Sequence, residues 1–144
     1  MLVSDVLRDK GSAVLTLPPE AAVGSLVELL AKHRIGAVII SSDGLSVEAI
    51  VSERDVVRAL AADGPVALTS KIESICTFKV VTTTPADRVE SLMAVMTEGR
   101  FRHLPVVEDG KLAGIISIGD VVKARMAELE SEHEALTDYI TSGG

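Results

Sequence analysis

The stretch from Pro19 to Gly44 returns 66 positions later as Pro85 to Gly110. Pro19, Val23, Ser25, Leu26, Arg34, Asp43 and Gly44 fall on Pro85, Val89, Ser91, Leu92, Arg100, Asp109 and Gly110. Past that glycine the match continues at a spacing one residue shorter, because the first copy carries an extra residue around Leu45 and Ser46. There Ile50, Ser52, Asp55, Val56, Val57 and Ala59 meet Ile115, Ser117, Asp120, Val121, Val122 and Ala124. Two copies are too few for a solenoid, which needs about three stacked units. They suit a pseudo-twofold pair whose apolar faces cover each other, and a pair of related surfaces makes a pair of related clefts. The division expected is residues 1–66 for the first repeat, 67–125 for the second, and 126–144 for a helical extension and tail.

At 144 residues and 47% apolar content, the chain can bury one real core. Its net charge of −7 argues against nucleic acid, and Phe78, Phe101 and Tyr139 are too few aromatics for a base-stacking platform. No apolar run approaches the ~20 residues of a membrane span, and the first residues do not read as a signal peptide. A single cysteine, Cys76, fits a reducing cytoplasm and reads as a small apolar side chain.

Each copy reads as strand, helix, strand, strand, helix. Val14-Leu15-Thr16 and Val80-Val81-Thr82 are the first strands. Val23, Leu26, Val27 and Leu30, matched by Val89, Leu92, Met93 and Met96, mark one buried helical face. Asp87 and Glu90 predict a capping box for the second of these helices. Ala37 to Ile40 and Leu104 to Val107 read as buried strands, and Asp43-Gly44 and Asp109-Gly110 as hairpin turns. Return strands follow over Val47 to Val51 and Leu112 to Ile116, and the closing helices begin near Glu53 and Ile118. Short helical turns precede each copy at Val3 to Leu7 and Ile72 to Cys76. Asp9 to Ala13 is a loop with no counterpart in the second copy, either plain surface or a flap over a ligand phosphate. The last helix runs on to about Ile140. Val122, Met126, Leu129, His133, Leu136 and Ile140 lie on a heptad spacing, which suits either a helix folded back on its own domain or a self-association seam.

Ser52-Glu53-Arg54-Asp55 and Ser117-Ile118-Gly119-Asp120 sit where the last strand of each copy meets the closing helix. Ser-x-x-Asp is by itself a helix start, with the serine capping a free N–H and the carboxylate near the positive dipole end. The same geometry can hold an anion, and a carboxylate there can accept both hydroxyls of a ribose. Arg54 adds a positive charge in the first copy. Gly119 replaces it in the second, leaving Arg102 and His103 as the nearest cationic candidates.

Thr82 to Pro85, Arg102 to Val107 and Leu112 to Asp120, with His33 to Val38 and Ala49 to Asp55 in the first copy, resemble the CBS domain, named for cystathionine beta-synthase. The similarity runs from about residue 3 to 125 and matches a stand-alone tandem pair, a Bateman module. It implies an α/β (α+β) fold of two β-α-β-β-α repeats packed sheet to sheet, with the extended C-terminal helix added. It further implies clefts for adenosine-containing ligands such as AMP, ADP, ATP, NAD or S-adenosylmethionine. On that resemblance Asp55 and Asp120 hold ribose hydroxyls, and Ser52 and Ser117 contact ribose or phosphate. Thr16 and Thr82, with Gly36, Ala37, Val38, Arg102, His103, Leu104 and Pro105, line the adenine pocket. Ile39 stands opposite Pro105 and Ala49 opposite Gly114, so equivalence of the two sites is not implied. The net charge favours a ligand of low charge such as AMP, or a site where Arg54, Arg102 and His103 reverse the local field.

No nucleophile elbow, phosphate loop or metal-ligand spacing appears, so no catalysis, catalytic cofactor or metal is expected. Three readings stand. The first is a cytoplasmic adenine-nucleotide sensor acting on a protein partner, with homodimerisation through the paired repeat helices, Leu29 and Val95 included. The second is a ligand-independent oligomerisation scaffold in which the carboxylates are only caps. The third is a metal- or proton-responsive regulator using His103.

Overall fold

The computed structural model describes residues 1–143. Helix α1 (Val3–Lys10) leads to strand β1 (Thr16–Leu17), helix α2 (Val23–His33), strands β2 (Ala37–Ile40) and β3 (Ala49–Ser52), and helix α3 (Glu53–Asp63). Two 3-10 turns, Gly64–Thr69 and Ile72–Ser74, connect to helix α4 (Val89–Gly99), strands β4 (His103–Glu108) and β5 (Lys111–Ser117), and helix α5 (Ile118–Gly143).

The repeat is reproduced in the strand register. Val38 pairs with Val51 and Ile39 with Ile50 across β2 and β3, and Leu104 pairs with Ile116 and Pro105 with Ile115 across β4 and β5. Alternation along a strand sends neighbours to opposite faces. One face of the first sheet (Val38, Ile40, Ala49, Val51) packs with Val23, Leu26 and Leu30 of α2 and Val56 of α3. The matching face of the second (Leu104, Val106, Ile116) packs with Val89, Leu92 and Met96 of α4 and Val121 of α5. The opposite faces carry Ala37 and Ile39, and Pro105, which are buried without joining either core. These faces meet each other, so the halves pack sheet to sheet. Ser52 and Ser117, with Ala37 and His103 paired opposite them, lie at corresponding ends of that shared layer.

The lead-in segments are exchanged between the halves. Val3, Val6 and Leu7 of α1 belong to the core of the second sheet, and Ile72 of the linker belongs to the core of the first. Leu7 fits because position 114 is glycine: a Cβ there would lie 2.7 Å from Leu7 Cδ2. The first repeat has Ala49 at that position.

Several local expectations are corrected. β1 begins two residues later than Val14, and Val80 to Thr82 form no strand; a single parallel bridge, Thr83 to Val106, replaces it. Asp109-Gly110 is a two-residue hairpin with both φ positive (52° and 76°), as its type requires. Asp43-Gly44 is not. The extra residue opens an eight-residue loop between β2 and β3, and the Asp43 carboxylate spans it, accepting from the Leu45 and Ser46 amides. The Asp87–Glu90 capping box does not form. α4 starts after Arg88 without a side-chain cap, because Asp87 accepts from the Thr83 hydroxyl and the Thr84 amide. Asp9 and Lys10 are not loop but the end of α1, and the segment does have a counterpart, since Gly11 to Leu15 match Thr77 to Val81 at the repeat offset. Beyond the repeat, Met126, Leu129, Leu136 and Ile140 of α5 are all more than half exposed.

Candidate functional site

Both closing helices begin at the predicted Ser-x-x-Asp. The Ser52 amide donates to Asp55 Oδ2 at 2.9 Å, and the Ser52 hydroxyl donates to the same oxygen at 3.2 Å. In the second copy the Ser117 amide donates to Asp120 Oδ2 at 2.9 Å, and Ser117 Oγ accepts from the Asp120 amide at 3.1 Å. Each carboxylate therefore caps its helix with one oxygen. Among the described residues, neither Oδ1 has a hydrogen-bond donor.

Two hollows open at these helix starts, and each is built from both halves. The first, of about 190 Å3, is lined by Gly36, Ala37, Ser52, Arg54 and Asp55 of the first repeat. The linker residues Thr77, Lys79, Val80 and Val81 and the turn Arg100 to His103 complete it. The second, of about 330 Å3, is its pseudo-twofold mate: Lys10, Gly11, Ala13, Val14 and Leu15, then Arg34 to Ala37, then His103, Ile115 and Ser117. Ligand sites usually offer about 300 Å3 or more. The first can thus enclose a base or a sugar, with the charged part of a ligand lying along its rim.

The chain turns into both hollows through strained arginines. Arg34 and Arg100 end α2 and α4 with φ of 53° and 58°, a left-handed conformation that favours glycine or asparagine. Such strain is retained where the surroundings fix it. Here it places one guanidinium at the wall of each hollow. Phe101 follows Arg100 into the first hollow. Its ring stands where a side chain at position 99 would be, 2.1 Å from a Cβ built on Gly99. Copy one has His33 and Ile35 at the matching positions.

The electrostatics of the two hollows differ. Around the first stand Arg54, Arg58, Lys79, Arg100 and Arg102 against Glu53 and Asp55, a local positive excess on an acidic chain. At the second, Lys10 Nζ donates to Asp120 Oδ2 at 2.6 Å and to the Ile115 carbonyl at 2.9 Å. Burial alone would raise the Asp120 pKa, but the Lys10 ammonium and the Ser117 amide outweigh it and hold the carboxyl below its ordinary value. His103 lies between the hollows and lines both. Burial lowers its pKa, against the pull of Glu53 and Asp120 and with the push of Lys10 and Arg102, which favours the neutral imidazole. A Cβ on Gly36 would sit 3.2 Å from the His103 ring, so glycine there admits the imidazole.

Of the residues singled out from sequence, Gly36, Ala37, Ser52, Arg54, Asp55, Arg102 and His103 converge on the first hollow. Ser117 lines the second, and Asp120 stands at its edge through Lys10. Arg102, the candidate charge for the second helix start, faces the first instead. Val38, Leu104 and Pro105 are buried in strands, and Thr16 and Thr82 are not among the residues lining either hollow. Sequence reasoning missed Lys79, Arg58, Arg100 and Phe101. The repeat offset held the signal: shifting Gly11 to Leu15 by 66 gives Thr77 to Val81. Among the described residues, no three His, Cys, Asp or Glu side chains converge as a metal cage would require, and no helix is long and apolar enough to cross a membrane.

Comparison with known proteins gives a consistent picture. The family model described as CBS domain matches residues 3–62 and 72–127. A CBS domain-containing protein of Arabidopsis thaliana, named as mitochondrial, is 33% identical over 98% of this chain and 72% of its own length. A crystal structure of a CBS-domain containing protein from Agrobacterium tumefaciens superposes with a TM-score of 0.83 at 45% identity, covering 87% of this chain and 99% of that one. A CBS domain protein from Pyrobaculum aerophilum, solved in complex with AMP, superposes with a TM-score of 0.78 at 29% identity, over 91% of this chain and 99% of that one.

Proposed function

The chain belongs to the CBS domain family, and we propose that it is a regulatory, non-catalytic module that binds an adenine nucleotide, AMP foremost, in the hollow beside Asp55. One observation carries the reading. Asp55 spends a single carboxylate oxygen on its helix, has no donor on the other among the described residues, and lines a hollow rimmed by five cationic side chains. The free oxygen takes the ribose diol, as acidic residues do in other nucleotide-binding folds. Ser52, the start of α3, Arg54 and Arg102 take the phosphate, while Ala37, Val80, Val81 and Phe101 offer the base an apolar wall. The AMP complex of the Pyrobaculum relative supports this ligand class. ADP, ATP and NAD fit the same reading, their further phosphates lying along the arginine rim.

Occupancy would be relayed because each hollow is walled by both halves. A ligand that prefers one relative placement of the halves biases that placement, and a homodimer or partner protein reads it. A free cysteine suits a reducing compartment, the cytoplasm in this reading. The test is calorimetry on nucleotide-stripped protein with AMP, ADP, ATP, NAD and adenosine. AMP should bind more tightly than adenosine by roughly tenfold, the worth of one charge-assisted phosphate contact. Absence of binding by all five at about 1 mM, a free energy near −4 kcal/mol, would remove the assignment.

A scaffold reading is favoured by a different observation, the exposed heptad face of α5 from Met126 to Ile140. A Leu129→Glu, Leu136→Glu variant that stays as large in sedimentation as the parent chain would dispose of that seam.

A further inference from the structure

We propose that Lys10 is an intramolecular occupant of the second hollow, competing with ligand for Asp120, so that the two related clefts of this chain bind with unequal affinity. The inference rests on the adenine-nucleotide reading of the clefts. Lys10 Nζ makes two bonds there, to Asp120 Oδ2 at 2.6 Å and to the Ile115 carbonyl at 2.9 Å. It thereby neutralises the carboxylate that a ribose diol would otherwise meet.

Lys10 is held there by its helix. It is the last residue of α1, whose Val3, Val6 and Leu7 are anchored in the second core, with Leu7 seated against Gly114. The Gly11 amide closes the helix on the Leu7 carbonyl at 2.8 Å, leaving the Lys10 side chain aimed across the start of α5. Among the described residues, no cation is bonded to Asp55 in the first cleft. The repeat offset puts Cys76 at the place of Lys10, an uncharged thiol. There the Ile50 backbone pairs instead with Thr77, with bonds of 3.0 and 2.9 Å. The repeats therefore supply the same Ser-x-x-Asp twice but place a cation on only one of the two carboxylates.

A ligand at Asp120 meets a carboxylate whose charge is already neutralised through Oδ2, in a pair whose side chains are both at least two-thirds shielded. Removing the ammonium while keeping the aliphatic stem, Lys10→Met, leaves Asp120 with its full charge and only its bonds to Ser117. The experiment is calorimetry with AMP on the parent chain, Lys10→Met, Asp55→Ala and the double variant, with thermal melting to establish that each is folded. The parent should bind one equivalent with measurable heat, and Lys10→Met should bind two. In the Asp55→Ala background, Lys10→Met should raise the remaining affinity about tenfold or more, the scale of one hydrogen bond to a charged group. Two equal sites in the parent, or a second site that Lys10→Met weakens or leaves unchanged, would overturn the inference while leaving the nucleotide reading intact. Weakening would mean that Lys10 serves the ligand. Failure of every protein, Lys10→Met included, to bind AMP would remove both.

Discussion

The two helix starts of this chain carry the same serine and aspartate in the same backbone setting, yet their surroundings have diverged. At the first, a rim of arginines and a lysine surrounds a carboxylate bonded only to Ser52. At the second, the carboxylate is paired with Lys10 and no arginine follows the serine, since Gly119 stands where the first copy has Arg54. A repeated motif fixes where a site can be. The segments outside the motif, here the lead-in pieces 9–15 and 76–81, decide what each site meets.

Breaking the symmetry at the carboxylates should give the largest effect. Asp55→Ala is expected to lower AMP affinity about 100-fold, the worth of roughly two charge-assisted hydrogen bonds, and to cost about 1 kcal/mol of stability through loss of the cap. Asp120→Ala should cost similar stability and leave the tight AMP site nearly unchanged. Equal losses of affinity in calorimetry would erase the distinction between the clefts.

The next contrast lies under the sheets. Gly114→Ala drives a methyl into Leu7 and should destabilise by about 1–3 kcal/mol, as overpacking does. Ala49→Gly in the first repeat should cost only about 0.5–1 kcal/mol, the backbone entropy of glycine. Urea unfolding of the pair measures both. A harmless Gly114→Ala would show that α1 is not seated as described.

The smallest effect is on pH. Burial keeps the folded-state pKa of His103 below its unfolded value of about 6.5. Acidification therefore protonates the unfolded chain first, and stability falls as pH drops below about 6.5 until the folded imidazole also charges. His103→Gln should flatten that part of the profile. Asp120 acts in a lower window. Its folded pKa is depressed, so its contribution is complete above the unfolded value of about 3.9 and is lost as pH falls through the folded one. Lys10→Met should shrink that loss.

Much of the architecture was legible because it is local. Continuous apolar runs at Ala37 to Ile40 and Leu104 to Val107 mark buried strands, and Ser52 and Ser117 announce helices that begin at Glu53 and Ile118. Where the sequence misled, one local signal had been overridden by another close by. Asp43-Gly44 reads like Asp109-Gly110, but one inserted residue turns a tight hairpin into a loop spanned by Asp43. Asp87 is a plausible cap that finds better partners in Thr83 and Thr84. The seven site residues that converge on the first hollow sit on or beside the repeated motifs. Lys79 and Lys10 do not, because contacts such as Lys10 with Asp120 join positions 110 residues apart. Only the exchange of lead-in segments between the halves brings them together.

The most direct measurement is a crystal structure of the nucleotide-stripped protein soaked with AMP. Density for the ribose within hydrogen-bond reach of Asp55, with the phosphate against Ser52 and Arg54 and the Lys10–Asp120 pair still closed, is the result expected. AMP bound at Asp120 with the Asp55 hollow unfilled, or bound outside both, would contradict it.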